Sequence, residues 1–277
     1  MSHTRVSFLI APLEPWRDIL MVELGELGYD SYEETTGGLD AYIKTVEFDH
    51  GAVSKLMTLH DPHVTVAWSH VQMEPHNWNA EWERSFQPVE VGHEVRIRAE
   101  HHPSMPGFTH ELVITPRMAF GTGHHATTRM MVKGMLGVDL AGRAACDLGC
   151  GTAVLAILAE RMGATSVMAI DNDQQAVDNA KETVVRNGCH VITVEKGDAG
   201  SLAGHTYDVI LANIERNTLL EAMPLMAAAL LPNGVLFLSG FIIADRHLLA
   251  DRAAAIGLVP FEEMEEGEWA LLGCRKP

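Results

Sequence analysis

Apolar and polar positions alternate along this chain in two textures, with an aromatic-rich stretch between them. Residues 6–71 predict the order β-α-β-β-α-β. Val6–Ile10 is a short apolar strand. Pro15, with its fixed φ, opens a helix in which Trp16, Ile19, Leu20, Leu24 and Leu27 share one face, and Gly28 ends it. Tyr29–Glu34 and Leu39–Val46 read as strands joined through the turn signal Thr35-Thr36-Gly37-Gly38. Val53, Leu56 and Met57 mark a second short helix, and Val64–Val71 a final strand. This order predicts a small ferredoxin-like α+β domain over residues 1–75. Nothing in it looks catalytic, which leaves packing or partner recognition as its work.

Over the next residues Trp78, Trp82 and Phe86 recur at i, i+4 and i+8, one face of a helix, and predict a linker helix over 76–88. The remainder, 89–277, reads as a larger α/β domain. Val89–Ala99 alternates as a strand and Glu111–Thr115 as another. From Arg143 strands fall near 143–148, 166–171, 191–195, 207–212 and 234–239. Helices fall near 152–162, 174–187, 217–230 and 245–256, and two last strands near 258–264 and 269–274. Repeated strand–helix units predict a mainly parallel, Rossmann-like sheet covered on both faces. Ligands of such sheets sit at the carboxyl ends of the strands.

Composition narrows the function. Of 277 residues 47% are apolar, as in a globular protein, and no apolar run approaches the ~20 residues that span a bilayer. Met1–Phe8 shows no signal-peptide run, so the expected location is cytoplasmic. Cys146, Cys150, Cys189 and Cys274 lack Cys-x-x-Cys spacing and read as small buried residues in a reducing compartment. The net charge is −17; residues 1–110 carry 7 basic and 17 acidic side chains, the rest 13 and 20. That balance argues against bare nucleic acid as a ligand and would steer a basic partner, if it does more than keep the chain soluble. The 15 histidines include the adjacent pairs His101-His102 and His124-His125, which do not have ligand spacing, and no metal site is expected. Glu262, Glu263, Glu265, Glu266 and Glu268 form an acidic run expected in the loop of the last hairpin, either solvated or facing a basic substrate.

The candidate chemistry centres on Ala145–Ala153, read as a strand, a glycine turn and a helix start, followed by Asp171. Gly149 and Gly151 allow a sharp turn and close approach of a ligand, with N–H groups at the helix start expected to face it. Asp171, about 20 residues on, is placed to accept from ribose hydroxyls. A G-x-G-x-x-G dinucleotide pattern would need glycine where Val154 stands. A tight turn without ligand is the alternative. Asp147, Asp171, Asp198 and Asn213 all fall at or just past strand ends on one sheet edge, although a Gly-Asp turn explains Asp198 equally well.

The segment Asp147-x-Gly149-x-Gly151-x-Ala153 resembles the S-adenosylmethionine motif of class I methyltransferases, with Ala153 in place of the last glycine; that change bears on close helix–strand packing. Two further stretches narrow the resemblance: Ala119-Phe120-Gly121-Thr122-Gly123-His124-His125-Ala126-Thr127-Thr128, and Asn213-Ile214. Together these closely resemble the ribosomal protein L-eleven methyltransferases over nearly the whole chain. Their Phe-Gly-Thr-Gly-Thr-His-Pro-Thr-Thr stretch is matched except at His124 and Ala126, and their Asn-Ile-Leu-Ala is left after Ile214. The resemblance implies a ferredoxin-like substrate-recognition domain, a linker helix and a class I methyltransferase domain. It implies S-adenosylmethionine as cofactor and methyl transfer to amines, lysine side chains or the N-terminal amine, of ribosomal protein L-eleven. It makes Thr128, Gly149, Asp171 and Asn213 donor contacts and has Phe120, Gly121, Thr122 and Gly123 close over the methionine end. Thr127, Asp147, Gly151 and Asp198 complete the expected donor site. Without the resemblance, residues 120–128 read as a surface loop ending in a helix cap at Thr127 or Thr128. Asn213 either aims the acceptor amine or contacts only the donor. The segment after it lacks the Asn-Pro-Pro-Tyr pattern of enzymes that methylate nucleic-acid bases. Another protein, a small amine, or cofactor binding without turnover remain as alternatives.

Overall fold

The computed structural model describes residues 2–73, 86–115 and 120–277. The chain divides into two compact units, Met1–Ala80 and Glu81–Pro277. The expected linker helix falls mostly on 76–85, outside the described residues, and 86–88 carry no helix.

The first unit runs β1 (His3–Ala11), α1 (Trp16–Glu26), β2 (Ser31–Thr35), β3 (Gly38–Lys44), α2 (His50–Val53), a 3₁₀ turn (Met57–His60) and β4 (Thr65–Gln72). Its antiparallel sheet has the order β2-β3-β1-β4, the ferredoxin-like arrangement. Alternate residues of β1 and β3, among them Val6, Phe8, Leu39 and Ile43, pack against Leu20 and Leu24 of α1. The second helix is a single turn, started by the Asp49 carboxylate on the amides of Gly51 and Ala52.

The second unit opens with a three-stranded sheet, β5 (Val89–Val91), β6 (Val95–Ala99) and β7 (His110–Ile114). The alternation over 89–99 is therefore two strands and not one, because the chain turns at Gly92, which has φ +60°. The main sheet contains β8 (Ala144–Leu148), β9 (Ser166–Asp171), β10 (Ile192–Lys196), β11 (Tyr207–Asn213), β12 (Leu230–Ile242), β13 (Val259–Glu266) and β14 (Trp269–Arg275). Its order is β10-β9-β8-β11-β12-β14-β13, parallel except at β14, which is antiparallel to both of its neighbours. Helices α3 (Ala126–Leu136), α4 (Val154–Arg161) and α5 (Gln174–Arg186) cover one face; α6 (Arg216–Ala229) and α7 (Arg246–Ala255) cover the other. Along β11 Val209 and Leu211 enter the first core and Ile210 and Ala212 the second, so this central strand reads as an unbroken apolar run. The architecture is the class I methyltransferase fold with a smaller ferredoxin-like domain. The strand order reverses between β8 and β11, which places a crevice beyond the carboxyl ends of those strands.

One expectation changes here. The acidic run is not a loop: Glu262, Glu263, Glu265 and Glu266 belong to β13, where Arg246 pairs with Glu263 and Glu265, and Arg129 and Lys133 with Glu266. Among the described residues no helix is long and apolar enough to cross a membrane.

Candidate active site

The turn after β8 shows where its backbone groups go. Gly149, Gly151 and Ala153 have φ of 77°, 53° and 62°, so left-handed residues alternate along the turn. Such an alternation can hold an anion on its amides. Here those amides are taken. Gly149 and Cys150 donate to the Ile170 carbonyl, Gly151 to Asp171 Oδ2 at 2.9 Å, Thr152 to the Phe120 carbonyl and Ala153 to the Cys150 carbonyl. The turn therefore offers the crevice no free amide of its own, and of the helix-start amides expected to face a ligand, that of Ala156 turns inward to Asp147 instead. Asp171 keeps acceptor capacity, because the bonds it accepts from the Gly151 and Asp173 amides use two of about four lone-pair sites. Ala153 is fully buried, and the consequence of its replacing glycine lies in the left-handed backbone, not in helix–strand packing.

Asp147 lies beneath the turn. It is buried, one oxygen accepting from the Ala156 amide at 3.1 Å and the other without a partner. Burial, with a smaller contribution from the Asp171 charge, pushes its pKa up to about 7. Burial also pushes up the thiols of Cys146 and Cys150, which are reactive only as thiolates.

Asn213 ends β11 opposite Ser239. The next residue, Ile214, fits between two glycines. A Cβ on Gly149 would overlap the Ile214 side chain, and one on Gly240 would overlap its backbone. Gly240, with φ +95°, bulges β12 out of register between Ser239 and Phe241 to make that room. Asn213 is thereby held with its side chain buried and its Oδ1 without a partner. A buried amide oxygen left unpaired costs about 1–3 kcal/mol, so this atom marks a place where a ligand donor fits.

Two adjoining clefts, about 210 and 320 Å³, share Phe120, Asn213 and Ile214. The first takes Gly149, Gly151, Asp171 and Asp198 as walls. The second is walled by His125 and Trp269, with Glu215 and Gly240. Phe120 is 49% exposed and its ring centroid stands 5.2 Å from that of His125, which in turn meets Trp269 edge-on at 4.6 Å. The loop that carries Phe120 is fixed to the turn by Thr152, whose Oγ1 donates to the Gly121 carbonyl at 2.7 Å. His125, and neither Thr127 nor Thr128, caps α3: its Nδ1 accepts from the Thr127 amide. Burial, then the nearby Arg129 charge, lowers the His125 pKa.

Of the residues expected around the donor, Phe120, Gly149, Gly151, Asp171, Asp198 and Asn213 line the first cleft. Asp198 also uses Oδ1 to accept from the Gly200 amide, as the turn reading anticipated. Gly121, Thr122, Gly123, Thr127, Thr128 and Asp147 are not among its walls. Gly123 packs against Val89 and Ile97, Thr127 Oγ1 contacts His125 Nδ1, and Thr128 is buried with an unpartnered hydroxyl. Sequence reasoning passed over Trp269 and Glu215 and gave His125 no role beyond the motif. No spacing signal links them; the fold alone brings them together. Among the described residues no cluster of His, Cys, Asp or Glu has metal-site geometry.

Fold and site define a class I methyltransferase. A family model described as ribosomal protein L11 methyltransferase (PrmA) matches residues 18–277, and the chain belongs to that family. It is 39% identical over 274 residues to the ribosomal protein L11 methyltransferase of Phocaeicola vulgatus, covering 98% of each chain. With the enzyme of the same name from Bacteroides thetaiotaomicron it shares 37% over 274 residues, again 98% of each. The crystal structure of a ribosomal protein L11 methylase from Lactobacillus delbrueckii subsp. bulgaricus superposes with a TM-score of 0.64 at 25% identity, covering 69% of this chain and 99% of that one.

Proposed function

We propose that the chain transfers methyl groups from S-adenosylmethionine to amines of ribosomal protein L11, on lysine side chains or the N-terminal amine, in the cytoplasm. The observation that carries this reading is the unpartnered, buried Asn213 Oδ1 at the junction of the two clefts. When bound, the donor supplies an activated methyl group on positively charged sulfur.

The chain's own residues suit both reactants. Asp171 has lone pairs left for ribose hydroxyls, and the occupied turn amides favour a nucleoside over a nucleotide. The exposed Phe120 ring offers a cation–π face worth about 0.5–2 kcal/mol to a cationic ligand. In the second cleft a lysine must arrive neutral. Deprotonating one of pKa ~10.4 at pH 7 takes roughly 4.6 kcal/mol. Walls of Phe120, His125 and Trp269 lower that by desolvating the ammonium, while Glu215 attracts it at the rim. Asn213 Oδ1 then accepts an amine N–H and aims the lone pair toward the first cleft; positioning of this kind carries most of the catalysis in a displacement. Residues 1–75 serve as the recognition domain, and the acidic surplus of 1–110 suits a basic protein and not a nucleic acid.

The test is intact-mass spectrometry of unmethylated ribosomal protein L11 incubated with the chain and S-adenosylmethionine. Gains in steps of one methyl group support the reading. Donor binding without any gain removes the acceptor and leaves the methyltransferase.

A further inference from the structure

The two aromatic walls of the second cleft come from separate parts of the chain. Phe120 and His125 stand on the loop before α3, and Trp269 opens β14. One side chain spans them. Arg129, in the first turns of α3, uses all three guanidinium nitrogens. Nε and Nη2 contact Glu266 Oε1 at 2.7 and 2.5 Å, and Nη1 donates to the carbonyls of Gly123, at 3.4 Å, and His124. Glu266 is the last residue of β13, three before Trp269, and also holds Lys133 at 3.3 Å. The other end of the loop is tied separately, by Thr152 to the donor turn.

Resting on the methyl-transfer reading above, we infer that Arg129 and Glu266 are positioning residues that fix the spacing of the two walls of the amine cleft and so select the acceptor without contributing to donor binding. A lone exposed ion pair is worth little. This one is half-buried and forked, and it reaches two loop carbonyls that a lysine, with one nitrogen, cannot hold together with Glu266. Loss of Arg129 leaves Lys133 on Glu266, so the hairpin keeps an anchor while the loop loses its own.

The full chain is compared with Arg129→Gln, Arg129→Lys and Glu266→Gln, and with Arg246→Gln, which breaks pairs to Glu263 and Glu265 on the same strand without touching the loop. Kinetics are read with ribosomal protein L11 at saturating donor, and donor affinity by calorimetry. Arg129→Gln is expected to raise acceptor KM about tenfold, with kcat within about threefold and donor Kd within about twofold. Arg129→Lys should fall nearer to Arg129→Gln than to the unaltered enzyme, and Arg246→Gln should change neither constant. Amide exchange of residues 121–125, which needs no acceptor, should quicken in Arg129→Gln and not in Arg246→Gln. Unchanged acceptor KM, a parallel loss of donor affinity, or unchanged exchange over 121–125 would overturn the assignment. An unaltered enzyme that binds donor and methylates nothing would instead overturn the functional reading, with the exchange comparison still deciding the role of Arg129.

Discussion

Replacing Asp147 by asparagine is expected to flatten the dependence of stability on pH. The carboxyl is buried, and burial raises its pKa from 3.8 to about 7. In the unfolded chain the group ionises near its ordinary value. Between about pH 4 and pH 7 the native state therefore binds a proton that the unfolded state has released, and stability falls as pH rises through that window. A rise from 3.8 to about 7 corresponds to roughly 4 kcal/mol at 1.36 kcal/mol per unit. Asparagine keeps an acceptor for the Ala156 amide and never ionises. Its NH₂ replaces the unpartnered oxygen at a cost of about 1–3 kcal/mol that is the same at every pH. The stability of the variant relative to the unaltered protein should thus improve by roughly 4 kcal/mol between pH 4 and pH 8, whatever its starting value. At ~2–4 °C per kcal/mol for a unit of this size, the difference in Tm should move by about 8–16 °C. Thermal unfolding of both proteins by circular dichroism, without donor, measures it. A Tm difference that stays flat from pH 4 to pH 8 would refute a carboxyl that holds its proton by burial.

Three further outcomes follow from the site and its supports. Asp171→Ala should weaken donor binding at least tenfold, about 1.4 kcal/mol, in calorimetry; undiminished affinity would remove Asp171 from the pocket. Asn213→Ala should lower kcat by about a hundredfold while thermal stability holds or rises, because an unpaired buried oxygen is removed; a stability loss with unchanged turnover would reverse its role. Glu111, held well down at about 2 by bonds from Ser104, the Met105 amide, Arg96 and Arg98, is the counterion of buried Arg96. Glu111→Gln should cost about 3 kcal/mol in denaturant unfolding, and a change under 1 kcal/mol would show that the bond from Arg96 to the Pro103 carbonyl suffices.

The order of strands and helices was legible because α5 buries residues at helical spacing, while β11 is a short unbroken apolar run of strand length. Periodicity failed where partners lie far along the chain. The glutamates of β13 look like a loop until Arg129, Lys133 and Arg246 are seen beside them. Asp171 and Asn213 could be named because strand ends of a parallel sheet share one edge. His125 and Trp269 could not, because an antiparallel β14 inserted beside β12 brings Trp269 to that edge. Helix α3 was legible only as a cap at Thr127 or Thr128, because its consecutive buried Met130, Met131 and Val132 blur the amphipathic pattern.

The occupied amides of the turn bear on competition among metabolites. Phosphorylated adenosines share the nucleoside half of the donor, and any cell holds them in abundance. A phosphate drawn toward the turn would meet amides already bonded to the carbonyls of Ile170, Phe120 and Cys150, beside the carboxylates of Asp171 and Asp198. Burying such a charge unpaired costs several kcal/mol, whereas a cation gains from the same carboxylates. The turn itself therefore has no free donor to offer a phosphate, and the two carboxylates beside it favour a cation instead.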